Sequence, residues 1–277
     1  MIARPELLAL SQILTTPLPP IEWDCEPLIP HRRRVVVFGE FGALKSWILL
    51  DIALHLAAGL PWLGCPVPTA RRVLFVDEEM AEEDLRRRVS LLAHGLEPRP
   101  NLAHLAFCAY SRIGLTFDGF GARSLLAHLA TAHFDPEVII VESFVRALVG
   151  EENSSTDVRE FWRNVEPLLR AGKTVIVSHH TTKPDLLAPR PLRQRARGSG
   201  EILAGCDVGW GIQIISEGTI SELQCVKTRS SRTPQAIRVQ VVDGLGCVRL
   251  VRATAHQQEE DEPNEKQFKH LDELTPT

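Results

Sequence analysis

From Arg33 onward the chain alternates short apolar runs rich in β-branched residues, polar or glycine-bearing turns, and longer stretches of helical periodicity. That rhythm predicts an α/β fold on a largely parallel sheet, because each parallel strand needs a crossover element to return the chain. The predicted strands are Arg34–Phe38, Val73–Val76, Ala103–Ala109, Val138–Val141 and Thr174–Ser178. Each is short and largely apolar throughout, as strands covered on both faces are. Helices are predicted over Ser46–Ala58, Ala81–His94, Gly121–His133 and Ser154–Ala171, the first with Ile48, Leu49, Ile52 and Leu56 along one face.

After about Cys206 the period shortens to alternation, predicting strands Val208–Ile215, Ile220–Lys227 and Ala236–Val242. Turn signals at Glu217-Gly218 and Arg229–Pro234 make them an antiparallel extension of the sheet. The first thirty residues read as a short amphipathic helix followed by Pro17-Leu-Pro-Pro and Trp23, an arm for the core or a neighbour. The segment from Gln257 is polar and acidic and is expected to be disordered. The expected organisation is an arm over 1–30, the main domain over 31–252 and a tail over 253–277.

Composition narrows the class. With 44% hydrophobic and 24% charged residues the chain can build one large core. Its six cysteines stand singly, without a Cys-x-x-Cys pair, so neither a zinc site nor a disulfide framework is expected. No apolar run reaches the roughly 20 residues of a membrane span, and the N-terminus has no signal-sequence pattern. A cytoplasmic protein with no membrane partner is expected. A net charge of −4 argues against a uniformly basic nucleic-acid binder, leaving local charge to decide.

Between the first predicted strand and helix stands Gly39-Glu-Phe-Gly-Ala-Leu-Lys-Ser46. The position suits a phosphate-binding loop, whose backbone N–H groups and helix dipole hold anions. Lys45 would reach the β and γ phosphates of ATP, and the Ser46 hydroxyl would ligate Mg²⁺. Gly39, Gly42, Ala43, Leu44, Lys45, Ser46 and Trp47 form the expected nucleotide-binding set. Leu44 replaces the glycine expected before the lysine, and its Cβ restricts the backbone there.

The second strand runs into Asp77-Glu78-Glu79, at the sheet edge where open α/β folds bind ligands. A carboxylate there can orient the water that attacks a γ-phosphate, a role set more by position than by pKa. Glu79 is favoured, with Glu78 the alternative; Glu82 and Glu83 suit the positive end of the following helix. The run Val138-Ile-Ile-Val-Glu142 has the form of a Walker B segment, whose acid holds Mg²⁺ through water, although Glu142 is one methylene longer than the usual Asp. The fifth strand ends in His179-His180, at the same edge. Lys183, Arg190, Arg193 and Arg195 populate a proline-broken segment that can either contact a nucleic-acid backbone or lie in solvent.

Pro-Pro-Ile-Glu-Trp, Gly-x4-Leu-Lys-Ser, Val-Leu-Phe-Val-Asp-Glu-Glu-Met, Val-Ile-Ile-Val-Glu-Ser, Ser-His-His and Ala-Arg-Gly-Ser follow one another over residues 17 to 243. In that order they resemble the RepA-type hexameric plasmid replicative helicases and their phage and chromosomal relatives in the RecA-like group. The resemblance implies a RecA-like P-loop NTPase core: a largely parallel central sheet with helices on both faces and an antiparallel C-terminal extension. It implies that Glu79 is the catalytic glutamate, Glu142 the Walker B acid, and His180 the γ-phosphate sensor. Arg197 matches the arginine finger that enters a neighbouring subunit's site, and Lys227 and Arg229 match a second cationic pair near that interface. ATP and Mg²⁺ are the implied cofactors; the implied partners are single-stranded DNA, copies of the chain in a hexameric ring, and replication-initiation proteins. Leu44 and Glu142 depart from the pattern and favour an alternative, a nucleotide-switched DNA-binding or assembly protein with weak or no hydrolysis.

Overall fold

The computed structural model describes residues 9–17, 19–118, 120–182, 190–216, 220–229 and 232–253. Its helices are α1 (Leu10–Thr15), α2 (Lys45–Ala58), α3 (Glu82–Gly95), α4 (Gly121–Thr131), α5 (Phe144–Ala147), α6 (Ser155–Arg170) and α7 (Glu201–Gly205). The strands are β1 (Trp23–Cys25), β2 (Ile29–Pro30), β3 (Arg34–Gly39), β4 (Val73–Asp77), β5 (Phe107–Ser111), β6 (Val138–Glu142), β7 (Thr174–His180), β8 (Val208–Ser216), β9 (Ile220–Thr228), β10 (Ile237–Gly244) and β11 (Cys247–Arg252). β1 and β2 form a hairpin; the rest make one sheet in the order β11-β10-β9-β8-β3-β7-β6-β4-β5.

From β8 to β5 every pairing is parallel, and β9 to β11 extend the sheet antiparallel. Alternation along the strands divides the core into two layers. Val35, Val37, Val73, Phe75, Val138 and Ile140 face α2 and α3. Val36, Phe38, Leu74, Val76, Ile139 and Val141 face α4, α5 and α6. Helices on both faces of a mostly parallel sheet are the α/β architecture that the chain's rhythm predicts.

Four local outcomes differ from the sequence reading. The predicted strand Ala103–Ala109 gives way to a 3-10 turn, Leu102–His104, followed by β5, because the Asn101 side chain accepts the Ala103 N–H and starts the turn. β5 is also an edge strand, so Cys108 and Ala109 are exposed instead of covered. α2 is buried around most of its circumference, Leu50, Asp51 and Leu54 included. A strand beyond the three predicted after Cys206, β11, closes the antiparallel extension; it packs against the end of α3 so closely that a Cβ on Gly95 would lie 2.1 Å from the Val248 carbonyl oxygen.

No residue of α1 is buried, whereas Cys25, Leu28 and Ile29 of the hairpin belong to the core. Asp24, fully buried, accepts a hydrogen bond from the Thr174 hydroxyl at 2.5 Å and pairs with Arg71 at 2.8 Å and His31 at 2.7 Å. These contacts pin the hairpin to the N-terminal ends of the strands, leaving the opposite edge free. Among the described residues no helix is long and apolar enough to cross a membrane. Residues 254–277 lie outside the described residues, as does the Glu217-Gly218 turn.

Burial raises the Asp51 carboxyl to about 6, although Trp62 donates to it at 2.8 Å. Its ionisation therefore opposes folding, a cost absent below the unfolded-state pKa and complete above about pH 6. Asp51→Asn should stabilise the protein by up to about 3 kcal/mol at pH 8 and by less at pH 5. Urea unfolding at the two pH values checks this; a gain independent of pH would contradict it.

Candidate nucleotide site

Parallel register brings the candidate side chains together. Gly39 lies opposite His180, and Asp77 opposite Glu142, so four strands deliver these residues at one edge of the sheet. The cleft there, ≈ 270 Å³, is lined by Glu40, Phe41, Gly42, Leu44, Lys45, Ser46, Trp47, Glu79, Arg88, Glu142 and His180. Gly39 and Ala43 of the expected set instead lie buried beneath the loop.

Leu44 takes the left-handed conformation, φ 59° and ψ 14°, at the N-terminal boundary of α2. This is the backbone shape a glycine would adopt freely, and for a leucine it costs about 1–2 kcal/mol. The side chain is only 6% exposed and packs in the core, which offsets that strain. The loop thus keeps its wrapped form without the expected glycine. Gly42, at φ 80°, supplies a second left-handed position.

Glu142 is buried, and its Oε1 accepts a hydrogen bond from the Ser46 hydroxyl at 2.6 Å. Its Oε2 is also buried and has no hydrogen-bond partner. Desolvation raises the carboxyl to about 7 against the opposing pull of Lys45. A hydroxyl, an orphan carboxylate oxygen and room for phosphates and water fit Mg²⁺, which prefers oxygen donors and retains water. When bound, the ion would neutralise charge on the phosphates; Ser46 and Glu142 are the side chains that would hold it.

Geometry separates the two candidate glutamates. The Glu78 carboxylate accepts the backbone N–H groups of Gly114 and Leu115 at 2.9 and 2.8 Å, a loop-building role. Glu79 faces the cleft, accepts the Ser143 hydroxyl at 2.5 Å and lies 3.6 Å from His180 Nε2. The His180 contact leads in depressing its carboxyl to about 2, with Ser143 and Lys45 acting in the same direction against desolvation. Glu79 is therefore an anion held in place, suited to orienting water. Asp77 supports it from beneath, accepting the Glu79 and Met80 N–H groups at 2.8 and 2.7 Å.

Strand alternation also separates the paired histidines. His179 points into the core against Phe144 and donates through Nε2 to the Arg197 carbonyl at 2.7 Å. Burial lowers it to about 4, so it is neutral near pH 7. His180 points into the cleft.

The remaining cations are dispersed. Arg197 is half-exposed, pairs with Glu152 and does not line its own cleft. Lys227 and Arg229 donate to the Ala204 carbonyl at 2.9 and 3.0 Å, capping the C-terminal end of α7. Arg190 and Arg193 are exposed, Arg195 turns inward onto Glu40, and Lys183 lies outside the described residues. Sequence reasoning missed Arg88, whose guanidinium sits 5.0 Å from the Trp47 ring centroid at the cleft wall. It also missed the Ser143 contact with Glu79. For Arg88 only the helical phase of α3 hints at its direction; Ser143 closes the Val-Ile-Ile-Val-Glu-Ser motif, which gives it no role of its own.

A family model described as an AAA domain matches residues 3–185, about two thirds of the chain. The chain belongs to the AAA domain family. A solved structure of an ATPase domain shares its fold at a TM-score of 0.61 and 13% identity, over 80% of this chain and 85% of that one. No curated protein matches the chain. The fold of this AAA domain is RecA-like, of the kind that P-loop ATPases use.

Leu44→Gly should lower stability by about 1–3 kcal/mol, since lost packing exceeds relieved strain, while ATP affinity is held or raised. Urea unfolding and nucleotide titration check both; lost ATP binding would contradict the loop assignment. Glu79→Gln should retain ATP binding and reduce hydrolysis by about 10²-fold or more, whereas Glu78→Gln should act mainly on stability. Steady-state rates with thermal melts separate the two, and the reverse pattern would move the role to Glu78.

Proposed function

We propose that this AAA domain hydrolyses ATP as a ring of identical subunits acting on single-stranded DNA, as a replicative helicase of a plasmid, phage or mobile element does. The carrying observation is the split between what the cleft holds and what it leaves out. Lys45, Ser46, Glu142, Glu79 and His180 converge there, while Arg197 stands half-exposed beside it with its guanidinium directed to Glu152. The Arg197 N–H donates to the His180 carbonyl at 3.0 Å, so sensor and finger share one backbone junction. A cation supplied to a neighbouring site would stabilise transition-state charge and make hydrolysis depend on ring geometry.

In this reading Lys45 holds the β and γ phosphates, Glu79 orients the attacking water and His180 reports the state of the γ-phosphate. Arg190 and Arg193, exposed on the same edge, supply charge for a DNA backbone. Lys227 and Arg229 are secondary intersubunit cations that would have to leave the α7 carbonyls to act. Initiation proteins would bring the ring to DNA.

The second reading, a nucleotide-switched DNA-binding or assembly protein, draws on Leu44, held in the left-handed backbone region, and on Glu142, one methylene longer than the aspartate usual at that position.

Steady-state ATP hydrolysis with and without single-stranded DNA, with Glu79→Gln as the blank, distinguishes the readings. DNA-stimulated turnover lost in Glu79→Gln is expected; nucleotide binding without turnover would favour the switch. Mixing Arg197→Ala with Lys45→Ala subunits should change activity beyond simple dilution, and strictly proportional loss would count against a finger acting across the interface.

A further inference from the structure

Glu40 places an anion where the site must receive one. It is the second residue of the phosphate loop and lines the cleft, beside the space for a polyanionic phosphate chain. An unpaired carboxylate there would repel the nucleotide through a poorly screened medium. Its charge is met by Arg195, whose Nη2 pairs with Glu40 Oε1; the two side chains are 13% and 21% exposed. At that burial the pair is shielded from solvent, and removing one member leaves the other uncompensated.

The surroundings hold Arg195 in place. Its carbonyl accepts the Thr182 N–H at 2.8 Å, and its own N–H donates to the Leu192 carbonyl at 2.9 Å. Thr181 forms a bridge with Ala196 and donates its N–H to the Gly39 carbonyl at 3.2 Å. The base of the segment is therefore tied to the start of the phosphate loop twice, by backbone and by charge.

We propose that Arg195 is a positioning residue of the nucleotide site, acting through Glu40. It neutralises the loop's own carboxylate, keeps that carboxylate turned from the phosphates, and so permits a triphosphate to bind. Its effect is larger for ATP than for ADP, because the additional phosphate adds negative charge. This role rests on nucleotide binding in the cleft.

The test is equilibrium titration of the full chain with fluorescent ATP and ADP analogues and Mg²⁺, with Lys45→Ala as the control for loss of the site. Arg195→Ala should weaken ATP-analogue binding about tenfold and ADP-analogue binding less, the size expected for one like charge exposed at short range. Arg195→Ala/Glu40→Gln should return to within about threefold of wild type, because the charge to be neutralised is gone. Glu40→Gln alone should bind the ATP analogue at least as tightly as wild type, and it decides the matter if Arg195→Ala does not fold. Where wild type binds and Lys45→Ala does not, unaltered binding by Arg195→Ala, failure of the double variant to recover, or weaker binding by Glu40→Gln overturns the proposal. A wild-type chain that binds neither analogue overturns the nucleotide reading itself, and this role with it.

Discussion

The parallel pairing of β3, β7, β6 and β4 is the constraint on which the cleft depends. Parallel strands end on the same side, so a lysine that follows β3, a histidine that closes β7, and acids at the ends of β6 and β4 meet although they are far apart in sequence. The register is enforced by burial. A slip of one residue would exchange the two core layers, moving Val36 and Phe38 into space shaped for Val35 and Val37. It would also turn His180 into the core and His179 into the cleft. Packing energy distributed over the sheet therefore holds a few polar groups at a single edge.

Those polar groups are held at some cost. Glu142 is desolvated, Asp77 is raised by burial, and Leu44 occupies a backbone region that favours glycine. Such departures persist when the surroundings over-determine them. Leu44 is kept by its own buried side chain, and Asp77 by the two N–H groups that it caps. Glu142 is joined to Ser46, so the proposed metal ligands are linked before any ion arrives. At the opposite end of the sheet the Asp24 network anchors the hairpin, which leaves the site edge open for ligand and neighbour.

Two departures from the expected motif acquire physical meaning in this setting. Replacement of glycine by Leu44 does not unwrap the loop, since α2 is buried around most of its circumference and gives the leucine a place to pack. Replacement of aspartate by Glu142 extends the carboxylate far enough to accept the Ser46 hydroxyl. Both are compatible with the proposed phosphate site.

Sequence by itself determined the α/β class, the parallel core, the antiparallel extension, the strand-to-helix loop at residues 39–46 and the stretches that carry the candidate acids. These are written locally, in hydrophobic period, in turn residues and in short motifs, and short-range sterics enforce them. Sequence already favours Glu79 and His180, but only tertiary structure gave the reason, turning them to the cleft while Glu78 builds a loop and His179 enters the core. Only tertiary structure turned Arg195 inward while Arg193 remains exposed. It also introduced Arg88 and Ser143 into the site, shortened the predicted Ala103–Ala109 strand and added β11. Direction of this kind depends on strand phase, helix rotation and the partner that each polar group finds. Those partners are distant in sequence, as Glu40 is from Arg195, and only the folded sheet brings them within reach.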